Sequence, residues 1–203
     1  MKGSLIIVSF FLLGIICAQF GLLNGIPSSW LTGDTSFYAL CALMGFVGIS
    51  IGHNPQTLKS FRSLNPRLLC LPVMTILGTF AGCIAAALVL HERSISDLLA
   101  IGSGFGYYSL SSIFITEYRG AELGTIALLA NIAREIITLL GAPLLAKWFG
   151  PLAPISSGGA TTMDTTLPII TRVSGQQYVV ISIFHGFVVD FTVPFLVTFF
   201  CSL

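Results

Sequence analysis

The sequence predicts an all-α polytopic membrane protein, and three observations carry that prediction. Of its 203 residues 55% are apolar and only 8% are charged, where globular chains carry about 25% charged residues. The mean hydropathy is +0.94. Apolar runs long enough to cross roughly 30 Å of hydrocarbon, about 20 residues each, recur along the whole chain. At that length the chain holds about six to seven membrane segments, two of them broken or re-entrant, and no soluble domain. The same arithmetic excludes other classes. Nine basic and eight acidic residues leave a net charge of +1, which gives no concentrated basic face for nucleic acid. Disorder is excluded by the hydrophobicity.

The segments follow in order. Ser4 to Ile26 holds no charge and is too long for the apolar core of a signal peptide, so it reads as the first span; Lys2 and Cys17-Ala18-Gln19 leave cleavage as a minor alternative. A polar turn, Pro27 to Asp34, leads to a second span over Ser36 to Gly52. The loop His53 to Arg67 holds Lys59, Arg62 and Arg67 and no acid. The third span, Leu68 to Leu90, carries Gly78, Ala81, Gly82 and Ala85 to Ala87, a small-residue face suited to close helix contact. Residues 1–97 thus form a three-helix part, and 98–203 a motif-bearing core, of a single membrane domain. Cys17, Cys41, Cys70, Cys83 and Cys201 stand singly in apolar runs, without metal or disulfide spacing, and are expected to pack as small apolar side chains.

The core differs in pattern. Leu98 to Thr116 is apolar but broken by Gly102-Ser103-Gly104-Phe105-Gly106, with Tyr107, Tyr108, Ser109, Ser111 and Ser112 following. Unpaired backbone is not tolerated against lipid, so a glycine-broken helix at membrane depth is buried or lines a wet cavity; tight packing through small residues is the plainer alternative. Leu123 to Ala146 is a long helix interrupted by Asn131, Arg134 and Glu135. Asn131 and Glu135 share a face, while Arg134 and Glu135 point about 100° apart and need separate partners. Pro151 to Arg172 is a second broken segment, with Gly158-Gly159, Thr161, Thr162, Thr165, Thr166, Asp164 and Pro168. An Asp at bilayer depth costs at least about 2.5 kcal/mol unless solvated or paired, which makes Asp164 a functional candidate unless the stretch is an extramembrane loop. The last span, Tyr178 to Phe200, carries His185 and Asp190.

Two interrupted segments flanking an intact helix match a transporter that binds its substrate between broken helices. Glu135 is the stronger proton carrier. Arg134 divides evenly between a binding role and a structural ion pair, and His185 between a proton relay and packing. Asp190 is expected to pair with Arg134 or Lys147 from another helix. Lys/Arg asymmetry places the Lys59–Arg67 loop in the cytoplasm. If both broken segments cross, there are seven crossings, Arg119 and Arg172 lie inside and Arg93 and Lys147 are exceptions; a re-entrant hairpin at either segment switches the side of every later loop. His91-Glu92 continues into no H-E-x-x-H site, and no Walker loop or G-x-S-x-G elbow occurs. The chain does not read as an enzyme, and no cofactor is expected.

Four motifs in order carry a family resemblance. Gly102-Ser103-Gly104-Phe105-Gly106-Tyr107-Tyr108-Ser109-Leu110-Ser111 through Thr116-Glu117 resembles the SGFGWYSLSG…TE signature of the LysO family of lysine exporters. Asn131-Ile132-Ala133-Arg134-Glu135 is similar to its N-x-x-R-E helix, Gly159 to Pro168 to its GATSMDFTLP segment, and His185-Gly186-Phe187 to its closing HGF. Thr57-Leu58-Lys59 extends the likeness weakly upstream. The resemblance implies a single transport domain, in the prokaryotic plasma (inner) membrane, that exports L-lysine and its analogues in exchange for protons. Asp164, Glu135, Arg134, Asn131, Gly104, Gly106, Ser109 and Thr162 are the implied substrate or ion site, with Asp164, Glu135 and His185 as proton relay. In that reading Asp164 or Glu135 meets the ammonium, and Arg134 or the Gly102–Gly106 break meets the substrate carboxylate. Full-length relatives carry further N-terminal spans, so a small separate membrane subunit, or a homo-oligomer, is an expected partner; Asp190 lies outside the family motifs.

Overall fold

The computed structural model describes residues 13, 16, 17, 19, 20, 68, 70–90 and 93–203. The chain forms two compact units, Met1–Asn54 and Pro55–Leu203, and the second holds the motif-bearing core. The second expected span, the basic loop and all of the first span except Leu13, Ile16, Cys17 and Gln19 (which are helical) and Phe20 (in a turn) lie outside the described residues.

Within the second unit every described regular element is helical. Among the described residues three helices are long and apolar enough to cross a membrane: α1 (Leu71–Val89), α4 (Ala121–Phe149) and α7 (Val179–Ser202). At 1.5 Å per residue they run about 28, 43 and 36 Å. Between α1 and α4 lie α2 (Ile95–Gly102) and α3 (Tyr108–Arg119). Between α4 and α7 lie α5 (Ala153–Gly158), a 3₁₀ turn (Gly159–Met163) and α6 (Leu167–Ser174). Local chemistry sets these boundaries. Ser94 caps α2 by accepting the Asp97 N–H at 3.1 Å, and Asp97 complements the positive end of the helix. Pro154 and Pro168 stand in the first turns of α5 and α6, where a missing N–H costs nothing.

Both broken segments double back. At one end of the unit Arg93, just before α2, pairs with Glu122 in the first turn of α4. Arg119, the last residue of α3, reaches Asp97 at 3.5 Å and gives its Nε–H to the carbonyl of Cys201 at 3.0 Å. The start of α2, the end of α3, the start of α4 and the end of α7 therefore share that end. At the other end Ile155, Ile170 and Ile181 form a buried cluster joined by Leu71, Leu152, Ile169 and Tyr178, which gathers the starts of α1, α5 and α7 with α6. The arms of the hairpins, 8 and 12 residues in the first and 8 in α6, reach about 12–18 Å, the depth of a bilayer's middle. Each segment returns to the end of the unit at which it begins, the layout of the re-entrant alternative. Arg119 accordingly falls at the same end as Arg93, and Lys147 at the same end as Arg172, in place of the arrangement expected for full crossings.

Polarity is inverted relative to a water-soluble core. Asn131, Glu135, Thr138, Ser182, His185 and Asp190 are buried, while Leu129, Ile136, Ile137, Leu140 and Leu144 on α4 and Phe191, Phe195 and Phe199 on α7 are exposed. The i, i+4, i+8 spacing of the three phenylalanines makes one apolar ridge, the surface that a hydrocarbon solvent selects.

Candidate functional site

The two hairpins enter from opposite ends and their tips meet. The Ala160 N–H donates to the Phe105 carbonyl at 2.9 Å, a backbone seam between two segments that are distant in sequence. Gly159 (φ 61°) lies so close to the Phe105 carbonyl that no side chain fits between them. Only glycine adopts that backbone freely and allows that approach. Phe105 is itself left-handed, at φ 46°, and fully buried.

Each tip is completed by a side chain from the middle of α4. Asn131 serves the first. Its Oδ1 accepts the Gly106 N–H at 2.8 Å, and its Nδ2 donates to the carbonyls of Ile101 and Ala127 at 3.1 and 2.9 Å. Asn131 thereby replaces ladder bonds lost where the helix breaks. A β-carbon at Gly104 would lie 2.5 Å from that Nδ2, so Gly104 makes room for the amide. The N–H groups of Ser103, Gly104, Phe105 and Tyr107 bond to the carbonyls of Leu99, Ile101, Gly102 and Gly104. The N–H groups of the break are therefore already occupied. Ser109 is half-buried in the first turn of α3.

Arg134 serves the second tip. Its Nε–H donates to the Ser157 carbonyl at 2.8 Å and its Nη2 to that of Ser156 at 3.0 Å, a cation at the negative end of the half-helix α5. Its Nη1 donates to Thr79 Oγ1 of α1 at 3.3 Å, and the guanidinium lies 5.6 Å from the centre of the Phe105 ring, within cation–π range. The separate partners expected for Arg134 are thus carbonyls and a ring, and no carboxylate among the described residues is ion-paired with it. Arg134, Thr75, Thr79, Ser156, Ser157 and Gly78 line an open cleft of about 480 Å³.

His185 ties α7 to the second tip and to α1. Its Nδ1 is 3.2 Å from Thr162 Oγ1 and its Nε2 is 2.9 Å from Thr75 Oγ1. Thr162 also has the carbonyls of Gly159 and Ser182 at 2.8 and 2.9 Å. Its single hydroxyl proton goes to a carbonyl, so its oxygen accepts from Nδ1–H, and Nε2 accepts from Thr75. The carboxylates lie nearby. Glu135 is fully buried, and Asp164, exposed at the end of the 3₁₀ turn, accepts the Thr165 N–H. Asp164 is in electrostatic reach of Glu135 and Asp190, and Tyr107 of both aspartates. Asp190 is not ion-paired with Arg134 or Lys147: the ion pairs among the described residues are Arg93–Glu122 and Arg119–Asp97. Arg134 is committed to α5, and Lys147 stands in the last turn of α4, far along the helix from mid-depth.

Phe105, Thr75 and Thr79 are site residues that the sequence reading missed. Phe105 sits between Gly104 and Gly106, a signal that its backbone is unusual. The two threonines had none, being isolated hydroxyls in an apolar span.

These features define a class: an all-α membrane protein in which two opposed half-helix hairpins meet at mid-depth over a polar layer. The chain belongs to the lysine exporter LysO family, whose family model matches residues 8–201. It is 35% identical over 192 residues to the lysine exporter LysO of Escherichia coli, covering 94% of this chain and 63% of that protein. It is 36% identical over 185 residues to a Haemophilus influenzae protein named as a candidate lysine exporter, covering 88% of this chain and 93% of that protein. No solved structure matches the chain.

Proposed function

We propose that this protein is a secondary active exporter of L-lysine and related cationic amino acids in the prokaryotic inner membrane, coupled to protons. The observation that carries the reading is the meeting of the two half-helix tips beside Arg134, Asp164 and Glu135. An amino acid needs a cationic or N–H partner for its carboxylate and acidic partners for its ammonium groups. Arg134 lines the cleft and makes three hydrogen bonds to described residues; a guanidinium has five N–H donors, so those three partners leave two for a carboxylate. Asp164 is exposed at a depth where a carboxylate requires water or a cation. Substrate and proton compete for it: protonation from outside releases lysine and resets the carrier. Glu135 supports the acidic side of the site, and Asn131 and Thr162 hold its two tips. Topology fits the direction. Lys147 and Arg172, at the end where α1 starts, fall on the cytoplasmic side by the Lys/Arg rule. Arg93 and Arg119, on the other side, are each matched by an acid.

The test is lysine release from preloaded vesicles carrying this chain, with and without an imposed proton gradient. Gradient-dependent release that Asp164→Asn reduces at least tenfold supports the reading; undiminished release by that variant sinks the coupling role of Asp164. If this chain alone releases nothing, the two-component reading takes over, and the assay is repeated with a partner subunit supplied.

A further inference from the structure

Asp190 has no part in the transport cycle proposed for Asp164, yet it stands at the middle of α7 and is only 4% exposed. Among the described residues no hydrogen bond or ion pair reaches its carboxylate. A carboxyl group held in that state at bilayer depth calls for a proton or a cation, and its position argues for a cation. One turn earlier on the same helix face, Gly186 presses against the 3₁₀ turn so closely that a β-carbon there would lie 2.7 Å from Met163 N and 2.8 Å from Thr162 Oγ1. Residues four apart share a face, so Asp190 lies alongside the continuation of that turn, where Asp164 follows Met163. Asp164 is the group that acts electrostatically on Asp190, and both act on Tyr107 at the start of α3. Gly106, just before Tyr107, packs against Gly158 and Thr161 of the same second tip, so side chains from three elements border one turn, and among the described residues no cation is ion-paired with any of them. No cluster of three or more His, Cys, Asp or Glu side chains with metal-holding geometry occurs among the described residues. A primary ammonium has three donors and no acceptor, which suits two carboxylates and a phenol oxygen.

We propose that Asp190, Asp164 and Tyr107 form the seat for a primary alkylammonium group, the end of the transported amino acid's side chain. The proposal rests on the exporter reading for the identity of the substrate, and on the geometry of the three side chains for the seat. Because the seat is built for –NH₃⁺, a substrate with a neutral side chain leaves the buried Asp190 carboxylate unmatched and is rejected by the penalty of leaving buried charge unpaired.

The experiment measures binding of L-lysine and of n-butylammonium to the whole chain in lipid nanodiscs, for the wild type, Asp190→Asn, Asp190→Glu and Tyr107→Phe. The wild type is expected to bind both probes. Asp190→Asn should weaken both at least tenfold, Asp190→Glu should retain part of the affinity, and Tyr107→Phe should weaken both several-fold. Thermal unfolding guards against a trivial loss: Asp190→Asn removes an ionisable group from a buried position where no described residue pairs with it, so its Tm without ligand should equal or exceed that of the wild type while the ligand-induced rise in Tm disappears. An Asp190→Asn protein that binds n-butylammonium as the wild type does overturns the seat. A Tm well below the wild type's overturns it too, because Asp190 is then a structural residue. Asp190-dependent binding of n-butylammonium without binding of lysine keeps the seat and defeats the lysine reading. Lysine binding indifferent to all three variants keeps the exporter and defeats the seat.

Discussion

Asn131 and Gly159 show how little the tips tolerate. Asn131→Ala leaves the Gly106 N–H and the Ile101 carbonyl without their partner in a buried place, at about 1–3 kcal/mol for each unsatisfied group. The expected outcome is a Tm lowered by several degrees in detergent unfolding and a marked loss of transport. Asn131→Asp keeps the acceptor for Gly106 but loses the donor to Ile101, and should fall between. At Gly159 the Phe105 carbonyl occupies the space of a side chain, and the backbone is at φ 61°. Gly159→Ala should therefore separate the tips and abolish release of lysine even where protein still reaches the membrane, measured by flux normalised to inserted protein. The chemistry of Asn131 was legible as a polar residue on a helix; its partner, a broken backbone well upstream, was not, because hydropathy carries no contacts. The identity of Arg134's partners was hidden for the same reason: carbonyl oxygens leave no trace in a sequence.

At the scale of elements, glycine and proline spacing revealed both interruptions, and the long helix between them reads off directly as an apolar run. Whether a broken segment crosses or returns was not legible. Residues 98–116 have the length of a full crossing, and only the Arg119–Asp97 contact shows that the arms lie side by side. The charges would have helped had they been taken with their partners: Arg93 and Arg119 are balanced by Glu122 and Asp97, so neither is a free basic signal, and Lys147 joins Arg172. Thiol labelling by a membrane-impermeant reagent tests the layout. Single cysteines introduced as Ser96→Cys and Glu117→Cys should react from the same side in sealed vesicles, and Gln176→Cys from the opposite side. Labelling of positions 96 and 117 from opposite sides would mean that the first segment crosses.

For the whole molecule the governing fact is that polar groups are gathered inward while apolar side chains face out, so lipid and not water is the solvent to which the fold is matched. A charge placed on the outward ridge should be costly in insertion. Phe195 is 62% exposed, and Phe195→Lys, just past the middle of α7, is expected to cost up to about 2.5–3.5 kcal/mol on an insertion scale. The inserted fraction of freshly made protein should fall accordingly, whereas Phe195→Leu should leave it unchanged. The two hairpins enter from opposite ends, each followed by a long helix, α4 or α7. That arrangement gives the polar layer one tip from each face, and so a barrier made of two independent halves.

The left-handed backbone of Phe105 bears on how firmly those halves hold together. A bulky residue at φ 46° is strained by roughly 1–3 kcal/mol, and here the Ala160 hydrogen bond and the Arg134 guanidinium hold it there. The bond and the strain are of similar size and opposite sign. Drawing the tips apart loses the first and relieves the second, so the seam behaves as a sprung latch, shut by a small margin and released without a large barrier in energy.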